Sequence, residues 1–132
     1  MFATHSAAAY ASIGIETEVS TASPHQLILM LFDGAILSIN SAAISLANGD
    51  IAAKGASLSK AMDIITRGLH ASLDVEAGGD LALRLSALYD YMCERLLHAN
   101  IHNNEKVMAE VSNLLSELRG AWAEIGHTAG RG

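Results

Sequence analysis

The chain of 132 residues contains little of several residue types, and each shortage excludes a class of protein. Its single cysteine, Cys93, cannot form an internal disulfide, so the chain is not a disulfide-stabilised secreted scaffold. Eight basic against 14 acidic residues give a net charge of −6, which leaves no basic stripe for nucleic acid. No apolar run approaches the length of a transmembrane helix, and Met1–Tyr10 lacks the basic region of a secretory signal. We therefore expect a protein of the cytosol, with no nucleic-acid partner and no membrane insertion.

Proline and aromatic residues are also rare, which bears on the fold class. There is one proline, and aromatic residues make up 5% of a chain that is 51% hydrophobic, so leucine, isoleucine, alanine and methionine must build the core. A chain of this length buries roughly two-thirds of its unfolded surface as one domain. This composition predicts an all-α protein.

Capping signals and three- and four-residue apolar spacing divide the chain into four helices. The short connections predict an antiparallel up-down four-helix bundle, with an N-terminal arm packing over one groove. The predicted domain organisation is an arm over residues 1–22, a bundle over 23–125 and a disordered tail over 126–132. The predicted helices run from Pro24 to Ala47, from Asp50 to about Ser72, from Asp80 to about Ile101, and from Asn104 to about Ile125, with a break at Asp74–Gly79.

The first helix is unusually poor in charge. Ser23 and Gln26 form a capping-box pattern around Pro24, and Asp33 is the only charged residue from there to Asn48. We expect a structural role for Asp33, as an anchor for the arm or for a neighbouring helix. A helix with so little charge must be covered on more than one side.

Two apolar stripes on the first helix lie nearly opposite each other. One runs from Ile28 to Leu46, and the second consists of Met30, Leu37 and Ile44 at seven-residue spacing. Smaller apolar groups also lie off the main stripes of the second and third helices: Ile64, Tyr91, Leu97 and Ile101. Three explanations remain open: a central helix in an asymmetric bundle, a groove for a partner segment, or a homodimer interface.

Sequence motifs for catalysis or metal binding are weak in this chain. A di-iron bundle needs two Glu-x-x-His motifs, and the chain has one, Glu124 to His127, interrupted by Gly126. His98 and His102 are four residues apart, but no carboxylate or cysteine at suitable spacing completes a metal site. We predict no catalytic residue, no cofactor and no metal.

Four blocks of sequence stand out along the chain: ASPHQLILMLFDGAI at Ala22–Ile36, GDIAAKGASLSKAMDII at Gly49–Ile65, LSALYDYMCERLLHAN at Leu85–Asn100 and NLLSELRGAW at Asn113–Trp122. Together they resemble the flagellar secretion chaperone FliS family. Similarity runs from the arm to about Ile125, with two departures: Phe2 stands where tyrosine is common, and DVEAGGD lacks the usual lysine.

The resemblance implies a non-enzymatic cytosolic chaperone. Family members bind the disordered C-terminal region of flagellin, which wraps around the bundle, and help deliver it to the type III export gate. The N-terminal arm overlies part of that surface when the client is absent. On this basis the expected partners are the flagellin segment and export-gate proteins, with a homodimer in the client-free state as the alternative. The predicted partner-facing residues are Phe2, Tyr10, Met30, Leu37 and Ile44, with Ile64, Tyr91 and Leu97 as secondary candidates.

Overall fold

The structure, a computed structural model, describes the backbone of residues 22–131 and the side chains of residues 22–126. The described residues form four helices and contain no strand, as the all-α prediction requires. Phe2 and Tyr10 lie outside the described residues. The helices are α1 (Pro24–Ala47), α2 (Ile51–Asp63, continued by a π-helical segment Ile64–His70), α3 (Val75–His102) and α4 (Glu105–Arg131).

The predicted capping box at the start of α1 is present. The Gln26 amide donates to the Ser23 hydroxyl at 3.1 Å, and the Ser23 amide donates to the Gln26 side-chain oxygen at 3.0 Å. Pro24 occupies the first turn, where its missing N–H costs nothing. The helix ends at Asn48-Gly49, where Gly49 has φ +75°. Both ends of α1 are therefore determined locally by the sequence.

The second helix changes its winding near its C-terminal end. Asp50 caps its start by accepting from the Ala53 amide at 3.0 Å, whereas Ile64–His70 is π-helical. A π turn contains an extra residue, so the side chains that follow rotate relative to an α-helical pattern. Ile64 and Ile65 are consequently both fully buried. The prediction that Ile64 faces a partner is wrong for this structure, because its side chain belongs to the core.

The third helix begins earlier than the sequence predicts, and the fourth ends later. Asp74 caps α3 by accepting from the Ala77 amide at 3.0 Å. The predicted break is reduced to a kink at Gly79, whose φ of +52° and ψ of −130° are non-helical. The backbone of α4 continues through Gly126 to Arg131, so the predicted helix end near Ile125 is too early.

The four helices pack as an antiparallel up-down bundle. Helix α1 lies against α2 and α4, and α3 closes the ring by contacting the same two helices from the opposite side. The backbones of the two diagonal pairs do not meet within the described residues. Packing is closest around α1, which contributes Leu31, Ile39 and other fully buried side chains to one continuous core.

Helix α1 is long and apolar enough to meet the length and composition test for a membrane-spanning helix. The expectation that no apolar stretch approaches this length is therefore wrong. The core helix of a soluble bundle passes the same test, and in α1 a whole face is buried against α2 and α4. Its apolar character is therefore weak evidence for a membrane span.

Candidate functional site

The outer face of α1 carries two large apolar side chains that the bundle does not cover. Leu37 is 67% exposed and Ile44 is 63% exposed. They lie about 10 Å apart along the helix axis, since each residue adds 1.5 Å. The opposite face, which includes Leu31, Ala35 and Ile39, is buried.

Met30 lies at the N-terminal end of the same face. Its side chain is half-buried and packs against the hydrophobic core, so it contributes only in part to the exposed surface. We call Met30, Leu37 and Ile44 the outer stripe. The structure brings these three predicted residues together on one face of α1, in the order and spacing that the sequence predicts.

Polar contacts with α4 run along one flank of the outer stripe. The Asp33 carboxylate accepts from Arg119 Nε at 2.5 Å and from Nη2 at 3.3 Å, and this partner raises the pKa of the arginine. The Ser112 hydroxyl donates to the Asn40 side chain at 3.4 Å. Asp33 therefore ties α1 to a neighbouring helix, which is the structural role expected for it.

Tyr91 and Leu97 lie on opposite edges of α3. The Tyr91 hydroxyl donates to Glu110 on α4 at 2.5 Å, and Arg95 donates to the other oxygen of that carboxylate at 3.1 Å. These bonds raise the pKa of Tyr91 and lower that of Glu110. Leu97 is 52% exposed and follows Cys93 by one turn on the edge that faces α2.

The predicted partner-facing residues therefore do not form one groove. Because α1 and α3 are diagonal in the bundle, the outer stripe and the outward side of α3 face in opposite directions. Contact with both faces would require a partner segment that runs around α2 or α4.

A second apolar surface lies at the end of the bundle where α1 begins and α4 ends. We call it the end cleft. It has a volume of about 180 Å³, and two of its lining side chains, Leu81 and Ile125, are more than half exposed. Its lining residues are Ile28, Phe32, Leu69, Ser72, Leu81, Leu85, Tyr89, Leu118, Ala121, Trp122 and Ile125.

The sequence analysis did not predict the end cleft, because Leu81, Leu85, Trp122 and Ile125 follow the same three- and four-residue apolar spacing as buried residues do. The available signal was the polar segment Asp74–Asp80, which precedes Leu81 and offers little apolar surface to cover it.

Two aromatic residues fix the walls of the end cleft. Trp122 Nε1 donates to the His25 carbonyl at 3.1 Å, and the two rings stack with centroids 5.0 Å apart. Tyr89 of α3 also lines the cleft; it is buried, and burial raises the pKa of its phenol to about 12. Trp122 is therefore tied to the start of α1, and Tyr89 is packed within the bundle.

The exposed groups of the outer stripe and most of the lining of the end cleft are apolar. Within the described residues, no three histidine, cysteine, aspartate or glutamate side chains come close enough to hold a metal ion. The rings of His98 and His102 are 4.4 Å apart without a third ligand. Cys93 is half-buried beside Thr66, and burial raises the pKa of its thiol, which makes it a poor nucleophile. The chemistry that these surfaces support is apolar recognition.

Comparison with known proteins places the chain in a family. The sequence model of the family described as "Flagellar protein FliS" matches residues 6–129. The chain belongs to the FliS family. It is 52% identical to the flagellar secretion chaperone FliS of Salmonella typhimurium strain LT2 over 117 residues, which cover 89% of this chain and 87% of that protein.

Two further relatives extend the match over nearly the whole chain. Identity to the flagellar secretion chaperone FliS of Escherichia coli K12 is 43%, over 94% of this chain and 91% of the relative. Identity to the flagellar secretion chaperone FliSB of Pseudomonas aeruginosa PAO1 is 39%, over 96% of this chain and 100% of the relative. The resemblance identified from the four sequence blocks is confirmed, and the exposed apolar surfaces are those of a member of a chaperone family.

Proposed function

We propose that this chain is a cytosolic export chaperone that binds the C-terminal segment of flagellin. It keeps the segment from polymerising before export and presents it to proteins of the flagellar type III export gate. It acts by binding alone, without catalysis or a cofactor. Membership of the FliS family supports the proposal, and the uncovered outer stripe on α1 is the structural observation that carries it.

The outer stripe offers what a disordered client needs. A segment that folds on binding loses conformational entropy, and it must recover that cost by burying apolar surface, typically on the order of 1,000–3,000 Å². Leu37 and Ile44 alone are too small for this, so the client contacts further apolar groups on the bundle. Tyr91 and Leu97 on α3 extend the proposed surface, and reaching them takes the client around the bundle.

Release at the export gate sets an upper limit on affinity. Much of the favourable free energy of apolar burial is offset by the conformational entropy that the client loses on binding. The complex is therefore reversible. The acidic surface of the chaperone, with a net charge of −6, opposes its own association through the exposed stripe.

Leu37→Glu tests the outer stripe directly. Because the side chain is 67% exposed, helicity and Tm should stay nearly unchanged, while the Kd for a flagellin C-terminal peptide rises about 10-fold or more. Isothermal titration calorimetry measures the affinity, and circular dichroism checks the fold. Leu83→Glu is the matched control, since Leu83 is an exposed leucine outside the outer stripe and the end cleft.

Two results would contradict this assignment. If the Leu37 variant unfolds, its side chain belongs to the core. If sedimentation shows a concentration-dependent dimer that Leu37→Glu abolishes and the peptide does not compete with, the stripe is a homodimer interface instead.

For the N-terminal arm, we propose that Phe2 and Tyr10 cover part of the client surface. Deleting residues 1–10 should then leave the affinity for the peptide unchanged or raise it. A clear loss of affinity would show instead that the arm grips the client.

A further inference from the structure

Two histidine side chains near the C-terminal end of α3 form a pair that belongs to neither apolar surface. His98 and His102 are both exposed, and their rings lie with centroids 4.4 Å apart and planes inclined by 46°. Neither residue lines the end cleft, and the outer stripe is on another helix. The four-residue spacing places both side chains on one face of α3, one turn apart.

Both imidazoles of the pair are available to bind a ligand. Each contacts the ring of the other, and within residues 22–126 neither takes part in a hydrogen bond or an ion pair. The two other histidines with described side chains are already engaged, since His25 stacks on Trp122 and His70 lies 2.8 Å from the Ser86 hydroxyl. The ring nitrogens of the pair therefore have no competing partner within the bundle.

This spacing of imidazoles is suited to a metal ion. Two histidines four residues apart on a helix are the two zinc ligands of the His-Glu-x-x-His motif, because both nitrogens reach one ion from the same face. Imidazole is a good ligand for Zn²⁺, Ni²⁺ and Cu²⁺. Two nitrogens that bind one ion at about 2.0–2.1 Å lie roughly 3–4 Å apart. A ring separation of 4.4 Å allows this after rotation of the two exposed side chains.

The number of protein ligands determines which kind of metal site the pair can form. Glu94 lies four residues before His98, but within residues 22–126 no three histidine, cysteine, aspartate or glutamate side chains come close enough to hold an ion. A closed structural zinc site needs four protein ligands, whereas an open site completes its coordination with water. The pair is therefore suited to an exchangeable ion, and the net charge of −6 favours binding of a cation.

We infer that His98 and His102 together chelate one divalent transition-metal cation per chain, with water in the remaining positions. Cu²⁺ binds more tightly than Ni²⁺ or Zn²⁺, following the general order of affinity for nitrogen ligands. Mg²⁺ and Ca²⁺ prefer oxygen ligands and do not bind at this pair. The chelate joins two successive turns of α3 and so stabilises the end of that helix, whose last residue is His102.

Isothermal titration calorimetry of the untagged full chain with CuCl₂, NiCl₂ and MgCl₂ tests the site. Cu²⁺ and Ni²⁺ should each saturate one site per chain, and Mg²⁺ should show no such site. His98→Ala and His102→Ala should each weaken Cu²⁺ binding about 10-fold or more, because the remaining imidazole no longer has a second ligand held beside it. Both positions are exposed, so circular dichroism should show unchanged helicity.

A matched control keeps the composition and changes only the spacing. Leu97→His combined with His98→Leu exchanges two exposed neighbours, and it places the two imidazoles five residues and about 140° apart around the helix. This variant should lose as much Cu²⁺ affinity as His98→Ala does. His5→Ala combined with His127→Ala removes two histidines outside the pair and should bind Cu²⁺ as the wild type does.

Three results would overturn the inference. They are the absence of saturable Cu²⁺ binding, equal Cu²⁺ affinity of the wild type and the exchange variant, and a stoichiometry of one ion to two chains with a metal-dependent dimer in sedimentation. The second would show that single imidazoles bind the ion independently of spacing, and the third that two copies of the chain share it. None of these measurements uses a flagellin peptide, so their failure is distinguishable from failure of the client proposal.

Discussion

Lys54 is a buried cation whose ammonium group donates to two oxygens of Asn100. Its side chain is 3% exposed, and Nζ donates to the Asn100 carbonyl at 2.9 Å and to the Asn100 side-chain oxygen at 2.8 Å. The carbonyl lies in the last turn of α3, where intrahelical donors run out. Asn100→Ala removes one acceptor from a desolvated ammonium and should lower the free energy of unfolding by about 2 kcal/mol in urea titrations. Asn113→Ala, at an exposed position of α4, should change it little, and equal effects of the two variants would contradict this role for Lys54.

Tyr89 makes the stability of the protein depend on pH in the alkaline range. Its pKa is about 12 in the folded state and 10.0 when exposed, so the folded state keeps the phenol proton to a higher pH than the unfolded state does. The stability gained from the neutral phenol is complete below pH 10 and is lost between pH 10 and 12, by about 1.4 kcal/mol per pH unit. Urea unfolding at several pH values should show this loss. Tyr89→Phe should reduce it, whereas Tyr91→Phe should retain the part that Tyr89 contributes.

The π-helical segment of α2 allows close contact with α1 at Gly68. A Cβ atom there would lie 2.7 Å from Leu31 Cδ2, and Leu31 is fully buried and cannot move aside freely. Gly68→Ala should therefore destabilise the bundle by about 1–3 kcal/mol in thermal or urea unfolding. Gly55→Ala in the same helix meets nothing closer than 3.7 Å and should stabilise the protein by about 0.5–1 kcal/mol. If both variants behaved alike, helix propensity rather than packing would govern α2.

Sequence reasoning located the helix ends that depend on local chemistry and missed the changes that depend on packing. The Ser23–Gln26 capping box and the Asn48-Gly49 stop are local signals, and both were predictable. The π-helical segment Ile64–His70 contains Gly68, where α1 approaches closely, and no pattern within α2 predicts this contact. For that reason the sequence placed Ile64 on the surface although it belongs to the core.

At the scale of the molecule, short connections and amphipathic spacing were sufficient to predict the up-down bundle. They left open whether the bundle, a partner segment or a second copy covers Leu37 and Ile44, and the structure shows that the bundle leaves both side chains exposed. The end cleft was not predictable in this way, because Leu81 and Ile125 follow the apolar spacing of their helices although both are more than half exposed. Periodicity shows which face of a helix is apolar, but it does not show where the opposing helix stops.

Stability should also be unequal across the bundle. Helix α1 packs closely on two neighbours and buries a continuous face from Leu27 to Ala42, whereas residues 74–81 are exposed and the Gly79 kink separates the first turn of α3 from the rest. Amides of that turn should exchange through local opening, while amides around Leu31 and Ile39 require global unfolding. Native-state hydrogen exchange should therefore show protection at least roughly 1,000-fold higher in the middle of α1 than in the first turn of α3. Equal protection of both segments in the free protein would show that α3 unfolds only together with the whole bundle.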